Sequence, residues 1–132
     1  MPEVAKRIGK VALVVEDEPS VLDLVVTLLG ESGWRVEVAP GGRAGLDSVL
    51  CNRYDLIVSD IRMPDGNGQE FYERALAHDP ALRRRFIFIT GDTAGESARA
   101  FIDDTEVPVV EKPFSPTAFE EAVWRLMTAA AS

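Results

Sequence analysis

Acidic, hydroxyl and amine side chains stand directly after four apolar segments of this 132-residue chain. These residues are Glu16, Asp17, Glu18, Asp60, Thr90 and Lys112. Several carboxylates held close together repel one another, and a hard divalent cation with oxygen ligands relieves that repulsion. Mg²⁺ suits such a site because it binds few carboxylates and keeps several of its waters. The pattern therefore predicts a magnesium site, provided that the fold brings these segments together.

Asp60 is the candidate nucleophile of this group. Once a metal ion partly neutralises it, a carboxylate can attack a phosphoryl group and form an acyl phosphate. The Lys112 ammonium and the Thr90 hydroxyl would then hold the phosphoryl oxygens, and such charge stabilisation is what phosphoryl transfer mainly needs. The acidic triplet Glu16-Asp17-Glu18 alone is more typical of a solvated turn. Its combination with Asp60 and Lys112 favours the metal site.

Short apolar runs rich in Val, Ile and Phe predict five β-strands. The runs lie at residues 11–15, 36–38, 56–58, 86–89 and 107–110. Helical spacing between them predicts helices from Pro19 to about Gly30, at residues 42–51, 67–77 and 94–103, and from Pro116 onward. Ser115 is the expected N-cap of the last helix, and Phe114 and Phe119 are its expected hydrophobic staple.

The alternation of strands and helices predicts right-handed crossovers and a mostly parallel sheet covered on both faces. The first, third and fourth runs are continuously apolar, which suits central strands. Residues 36–38 alternate with charged neighbours and Pro108 interrupts the last run, so these two strands belong at the edges. We therefore expect a flavodoxin-like (βα)5 doubly wound α/β sandwich whose five-stranded parallel sheet has the order 2-1-3-4-5. In such a sheet the six polar residues converge in the crevice beyond the carboxyl ends of the strands.

Length and composition predict one domain, at residues 10–128, with an extension at residues 1–9 and a short tail at residues 129–132. The formal charge of −8 disfavours nucleic acid as a direct partner. No apolar stretch is long enough for a membrane span and no secretory signal is visible, so the cytoplasm is the expected compartment. A single cysteine and a single histidine exclude an internal disulfide and a histidine-rich metal site.

Four segments form a set that extends over about residues 10–127. They read Val14-Val15-Glu16-Asp17-Glu18-Pro19, Asp60-Ile61-Arg62-Met63-Pro64-Asp65-Gly66-Asn67-Gly68, Ile89-Thr90-Gly91-Asp92 and Glu111-Lys112-Pro113-Phe114. Together they resemble the receiver domain of two-component response regulators. The resemblance implies a phosphorelay switch that takes a phosphoryl group from a histidine kinase or a histidine phosphotransfer protein and signals by a change of conformation. It also implies that the chain is not an enzyme beyond its own phosphotransfer and dephosphorylation.

The resemblance assigns the phosphoacceptor and the metal ligands. Asp60 would accept the phosphoryl group. Glu16 and Asp17 would bind Mg²⁺ directly or through water, with Asp60 and the backbone carbonyl of Arg62 as the other protein ligands. Glu16 stands where Asp is also common, so its longer side chain changes the contact with the metal. We also hypothesise that Arg62 and Asp92 form an ion pair that restricts the attacking water and sets the lifetime of the phosphoaspartate.

The resemblance also assigns the two residues that would sense the phosphoryl group. Thr90 would report phosphorylation, and Lys112 would pair with the phosphoryl group. The peptide between Lys112 and Pro113 is usually cis in this family, a state open to X-Pro bonds at modest cost. Three residues before the lysine, many receivers carry an aromatic switch residue, whereas this chain has Val109. Coupling between threonine and an aromatic side chain is therefore not expected in its usual form.

Three other functions stay open. A Mg²⁺-dependent aspartyl-phosphate phosphohydrolase would, by resemblance, place a second acid two residues after the nucleophile, where this chain has Arg62. A flavodoxin-like FMN carrier needs a phosphate-binding loop rich in hydroxyl groups and glycine after the first strand, and the acidic triplet would repel the phosphate instead. A degenerate receiver would act only as a protein-binding module, which the intact Asp17, Asp60, Thr90 and Lys112 disfavour.

Partner surfaces are less marked in the sequence. The segments at residues 90–92 and 108–114 look somewhat like those of receivers in hybrid histidine kinases. A homodimer through the last two helices is compatible with the sequence, and Trp124 would suit its interface. The run Arg83-Arg84-Arg85 resembles a nucleic-acid patch in isolation but is more typical of a solvated loop before a strand.

Overall fold

The computed structural model describes residues 10–62, 68–91 and 95–131, without the side chains of residues 95–99, 130 and 131. Its strands are β1 (Val11–Val15), β2 (Arg35–Ala39), β3 (Leu56–Asp60), β4 (Phe86–Thr90) and β5 (Val109–Glu111). Its α-helices are α1 (Pro19–Glu31), α2 (Gly42–Cys51), α3 (Gly68–His78), α4 (Gly95–Thr105) and α5 (Pro116–Ala131). A 3₁₀ helix (Pro80–Arg84) lies between α3 and β4.

The five strands form one parallel sheet in the order β2-β1-β3-β4-β5. This arrangement confirms the flavodoxin-like fold expected from the sequence. Strands β3 and β4 are buried at every residue, as strands covered on both faces must be. The edge strand β2 is mostly exposed or half-buried, and Val38 is 52% exposed. Within the described ranges, no helix combines the length and the apolar character needed to cross a bilayer.

Two apolar cores lie on opposite faces of the sheet, because successive side chains of a strand point to opposite faces. Leu13 and Val15 enter the core that contains buried residues of α2, α3 and α4. Ala12 and Val14 enter the core that contains buried residues of α1 and α5. Edge-to-face contacts between aromatic rings strengthen the first core, and Tyr72 makes three of them. The helices thus fix the sheet from both sides.

The start of α5 is as the sequence predicts. Ser115 Oγ accepts a hydrogen bond from the Ala118 N–H at 3.1 Å, and the rings of Phe114 and Phe119 stack with centroids 5.8 Å apart. This cap and this staple begin the helix directly after the segment that carries Lys112. The helix continues through Ala131, so residues 129–131 extend it instead of forming the expected tail.

Two local predictions need correction. The run of three arginines is not a solvated loop throughout: the first two residues end the 3₁₀ helix, and Arg85 is half-buried, with Nη1 donating to the Tyr54 carbonyl at 3.1 Å. Asp79 caps that helix by accepting the Ala81 N–H. Strand β5 begins at Val109, two residues later than predicted. Pro108 precedes it because proline has no N–H to donate to a ladder.

Candidate functional site

The polar residues predicted to converge lie at one edge of the sheet. Glu16 follows β1, Asp60 ends β3, Thr90 ends β4 and Lys112 follows β5. Pairing continues to the end of the last two strands, where the Lys112 N–H donates to the Thr90 carbonyl at 2.7 Å. Because the strands are parallel and in register, side chains from distant parts of the chain lie together in one crevice.

Three carboxylates form a cluster in this crevice. Glu16, Asp17 and Asp60 each offer one oxygen, and these oxygens lie within 4.8 Å of one another. Glu16 and Asp60 are buried, at 1% and 4% exposure, whereas Asp17 is exposed. A set of oxygen donors with one side open to solvent is the kind of site that a hard divalent cation prefers.

Lys112 contacts this cluster with its ammonium group. Its Nζ lies 2.9 Å from Asp60 Oδ2, 3.3 Å from Glu16 Oε1 and 3.6 Å from Glu18 Oε1. Burial lowers the pKa of Lys112, but the hydrogen bond and the charge of Asp60, together with Glu16, outweigh it, so the pKa is raised. The ammonium therefore stays charged and holds the acids together. Glu18 was expected in the crevice as part of the acidic triplet, but no role as a metal ligand or catalytic residue was predicted for it, and its contact with Lys112 is visible only in the structure.

Glu16 is the carboxylate of the cluster that is least well satisfied by hydrogen bonds. Its Oε2 accepts the Glu18 N–H at 3.0 Å. Its Oε1 is buried and has no hydrogen bond among the described residues, since Lys112 approaches without suitable geometry. Burial raises the pKa of Glu16 to about 7, the charge of Asp60 adds to the increase, and the Glu18 N–H and Lys112 oppose it. A buried carboxylate oxygen without a hydrogen bond fits a metal ligand, because a bond to a cation would satisfy it.

Asp60 is held from both sides. Its Oδ1 accepts the Arg62 N–H at 3.2 Å, and its Oδ2 accepts from Lys112. Gly68, at the start of α3, lies against the backbone of Asp60 and Ile61, and its N–H donates to the Ile61 carbonyl at 2.6 Å. A Cβ at Gly68 would lie 2.4 Å from the Asp60 carbonyl oxygen, so only glycine allows this approach. This role of Gly68 was not predictable from the sequence, because the backbone that it approaches is visible only in the fold.

Thr90 lies beside the cluster without bonding to it. Its side chain is 7% exposed, and Oγ1 donates to the Gly91 carbonyl at 3.4 Å. The peptide between Lys112 and Pro113 is cis, as predicted. Val109 is half-buried in β5.

Some of the predicted details cannot be placed. Asp92, the proposed partner of Arg62, lies outside the described residues, as do residues 63–67 of the segment that begins at Asp60. The ion-pair hypothesis therefore stays a prediction. The Arg62 carbonyl stays a predicted metal ligand, since the structure shows only that the N–H of this residue bonds to Asp60.

A doubly wound parallel sheet with buried acids and a lysine at its carboxyl edge places this chain among the flavodoxin-like α/β proteins. Comparison with known proteins identifies the family. The family model described as the response regulator receiver domain matches residues 12–124. The chain therefore belongs to the receiver domain family of two-component systems, which confirms the resemblance found in the sequence.

The matching proteins include response regulators and receiver domains. The transcriptional regulatory protein DltR of Streptococcus agalactiae is 31% identical over 102 residues, which cover 77% of this chain and 45% of DltR. The receiver domain of a signal transduction histidine kinase from Syntrophus aciditrophicus is 26% identical, covers 91% of both chains and has a TM-score of 0.78. The receiver domain of the Pseudomonas aeruginosa sensor histidine kinase PA1611 is 24% identical and has a TM-score of 0.79. The match covers 90% of this chain and 98% of the PA1611 chain. At that identity the likeness shows the fold.

The chain spans about half the length of the curated relatives that it matches. The remainder of those proteins has no counterpart in the alignment. Some of the relatives are named as transcriptional regulatory proteins. The prediction that this chain does not itself bind nucleic acid therefore stays a prediction.

Proposed function

We propose that this chain is a phosphoacceptor switch, in which Asp60 takes a phosphoryl group from a phosphohistidine donor in a Mg²⁺-dependent reaction. The observation that carries this proposal is the contact of Lys112 with Asp60 at 2.9 Å beside two further carboxylates. A lysine fixed at the carboxylate can hold the oxygens of an arriving phosphoryl group, and the acids can hold the metal. Membership of the receiver domain family supports the same role.

The proposed step forms one bond and breaks one. An Asp60 carboxylate oxygen bonds to phosphorus while the bond between phosphorus and the donor's histidine nitrogen breaks, and the imidazole leaves with the electron pair. The contacts to the Arg62 N–H and to Lys112 hold the carboxylate in place before it attacks. Such positioning and charge stabilisation supply most of the rate in phosphoryl transfer.

Glu16, Asp17 and Asp60 would hold the metal ion, as their clustered oxygens and the unsatisfied Glu16 Oε1 support. Bound Mg²⁺ would neutralise negative charge that develops on the phosphoryl oxygens. The receiver domain of PA1611 holds a magnesium ion in its active-site cleft, which agrees with this choice of metal.

We propose that the partners are a histidine kinase or a histidine phosphotransfer protein, and that the chain catalyses only its own phosphorylation and dephosphorylation. Because Val109 stands where many receivers carry an aromatic side chain, the output would pass through Thr90, through backbone shifts of the neighbouring loops, or through exposed groups on the last two helices. The cytoplasm is the compartment where these partners would meet the chain.

Intact-mass measurement after incubation with phosphoramidate, which carries the same phosphorus–nitrogen bond as phosphohistidine, tests this proposal. We expect the gain of one phosphoryl group in the presence of Mg²⁺ and none with a chelator. Asp60→Ala should abolish the gain, whereas Asp23→Ala, at an exposed position of α1, should leave it unchanged. A folded wild-type protein that stays unmodified with both phosphoramidate and acetyl phosphate would favour the protein-binding module instead.

A further inference from the structure

A second charged site lies at the opposite end of the sheet. Arg83 and Arg84 end the 3₁₀ helix before β4, so the five residues of that strand, roughly 16 Å, separate them from the carboxylate cluster. Together with Arg125 of α5, they line a cavity of about 350 Å³. We call this cavity the arginine groove.

The arginines are available to an incoming anion. Among the residues that the structure describes, no carboxylate forms an ion pair with Arg83 or Arg84, and both are exposed. Arg125 pairs with Glu121 one turn earlier on α5, but the two side chains are 74% and 54% exposed. An exposed pair of this kind contributes little, so Arg125 can exchange its partner at small cost. Three cations thus gather on a chain whose formal charge is −8.

The groove also has an apolar floor. This floor consists of the apolar lining residues Pro108, Leu126 and Ala129. Leu126 is 8% exposed and also belongs to the core formed with α1 and α5. A floor of this type can bury an apolar side chain of a ligand, which would add to the charge interactions. The combination selects an anion that also carries an apolar group.

Glu106 marks the wall of the groove with an unusual backbone. It follows α4 with φ 59°, a left-handed conformation that glycine adopts more readily, and its N–H donates to the Ile102 carbonyl at 3.2 Å. This turn brings Thr105 and Glu106 to the groove. The Glu106 carboxylate offsets part of the positive charge, which limits the affinity for anions.

We propose that the arginine groove binds an acidic peptide segment of a partner protein, with its carboxylates on Arg83, Arg84 and Arg125 and one apolar side chain on the floor. A short acidic segment matches both the three cations and the floor. A long polyanion such as DNA does not, because the rest of this acidic protein repels it. An extended acidic segment also offers one carboxylate to each of the three exposed arginines.

Fluorescence anisotropy with a short labelled peptide, in which Glu alternates with Leu and Phe, tests the proposal, and a peptide with Lys in place of Glu is its control. We expect saturable binding of the acidic peptide alone, weakening as salt is added. The double variant Arg83→Glu with Arg84→Glu should weaken binding about tenfold or more, because it reverses the charge of the groove. Ala129→Asp should weaken it as well, and Glu106→Gln should strengthen it.

Arg74→Glu is the matched control, since Arg74 is an exposed arginine of α3 away from the groove. A loss in this variant equal to that in Arg84→Glu would mean unspecific attraction and would overturn the proposal. Absence of saturable binding would also overturn it, as would a preference for duplex DNA or a concentration-dependent dimer that occupies the groove. Asp60→Ala should keep peptide binding, and the groove variants should keep phosphorylation, so this proposal and the phosphoacceptor proposal can fail separately.

Discussion

Replacing Glu16 with glutamine should stabilise the metal-free protein at neutral and higher pH, although it removes a proposed metal ligand. Glu16 is 1% exposed, and burial raises its pKa from 4.5 to about 7. One pKa unit corresponds to about 1.4 kcal/mol of differential interaction. Ionised Glu16 therefore lowers the free energy of unfolding by about 3 kcal/mol once the pH exceeds the folded-state pKa.

The effect has a defined pH window. Below the unfolded-state pKa of 4.5 the carboxyl is protonated in both states and costs nothing. Between pH 4.5 and about 7 the folded state binds more protons than the unfolded state, so stability falls as the pH rises. Glutamine never ionises. Its amide NH₂ group cannot accept a hydrogen bond, however, so the variant loses either the contact with the Glu18 N–H or the contact with Lys112. We therefore expect a gain of about 1–3 kcal/mol at pH 8 and of less than about 1 kcal/mol at pH 5.

Urea unfolding in the presence of a chelator, followed by the fluorescence of Trp34 and Trp124, measures this gain. Glu18→Gln is the control, since its side chain is 54% exposed and should show little change. Added Mg²⁺ should stabilise the wild-type protein more than the Glu16→Gln variant, because ligand binding to the folded state adds to stability. A variant no more stable than the wild type at pH 8, or one with the same gain at both pH values, would refute the reasoning.

Three further substitutions test the packing around the site and at the other end of the sheet. Gly68→Ala should destabilise the fold by about 1–3 kcal/mol in urea unfolding and slow phosphorylation, because the new Cβ meets backbone, whereas Gly30→Ala has open space and should be neutral or stabilising. Tyr54→Phe should cost about 1 kcal/mol in the same assay, since the buried hydroxyl donates to Glu37 Oε1 at 2.6 Å; a loss below about 0.3 kcal/mol would mean that this bond does not hold β2. Glu106→Gly should increase the free energy of unfolding by about 1 kcal/mol, because glycine adopts this left-handed backbone without strain, and the thermal midpoint should rise accordingly. A lower midpoint would show that the backbone at Glu106 is not strained.

Much of the fold follows from local patterns in the sequence. Helix α2 has the predicted bounds, and α1 and α5 begin at the predicted prolines, because helical spacing and capping residues act within a few positions of the chain. The sheet order follows from which runs are continuously apolar. The 3₁₀ helix escaped prediction because a single short turn has no periodicity, and its cap Asp79 is indistinguishable from a loop aspartate.

The sequence predicts which side chains share the crevice, but it does not predict their burial or their charge interactions. Topology alone sends Asp60 and Lys112 to one crevice, and the sequence shows which strand each residue follows. The burial of Glu16 and the contact of Lys112 with three acids depend on side-chain packing, which no local pattern encodes. The contact between Tyr54 and Glu37 escaped prediction for the same reason.

The charge balance of the crevice favours an order of events in the proposed function. Among the described residues, Lys112 and the carboxylates of Glu16, Asp17, Glu18 and Asp60 together carry a formal charge of −3 when all five are ionised. A phosphoryl group on Asp60 would replace a charge of −1 with about −1.5 to −2, which the metal-free crevice disfavours. A divalent cation reduces the starting charge to −1 and removes most of that penalty. Mg²⁺ should therefore bind before the phosphoryl group arrives, and the phosphorylated state should retain the metal more tightly than the free state because the coupling is reciprocal.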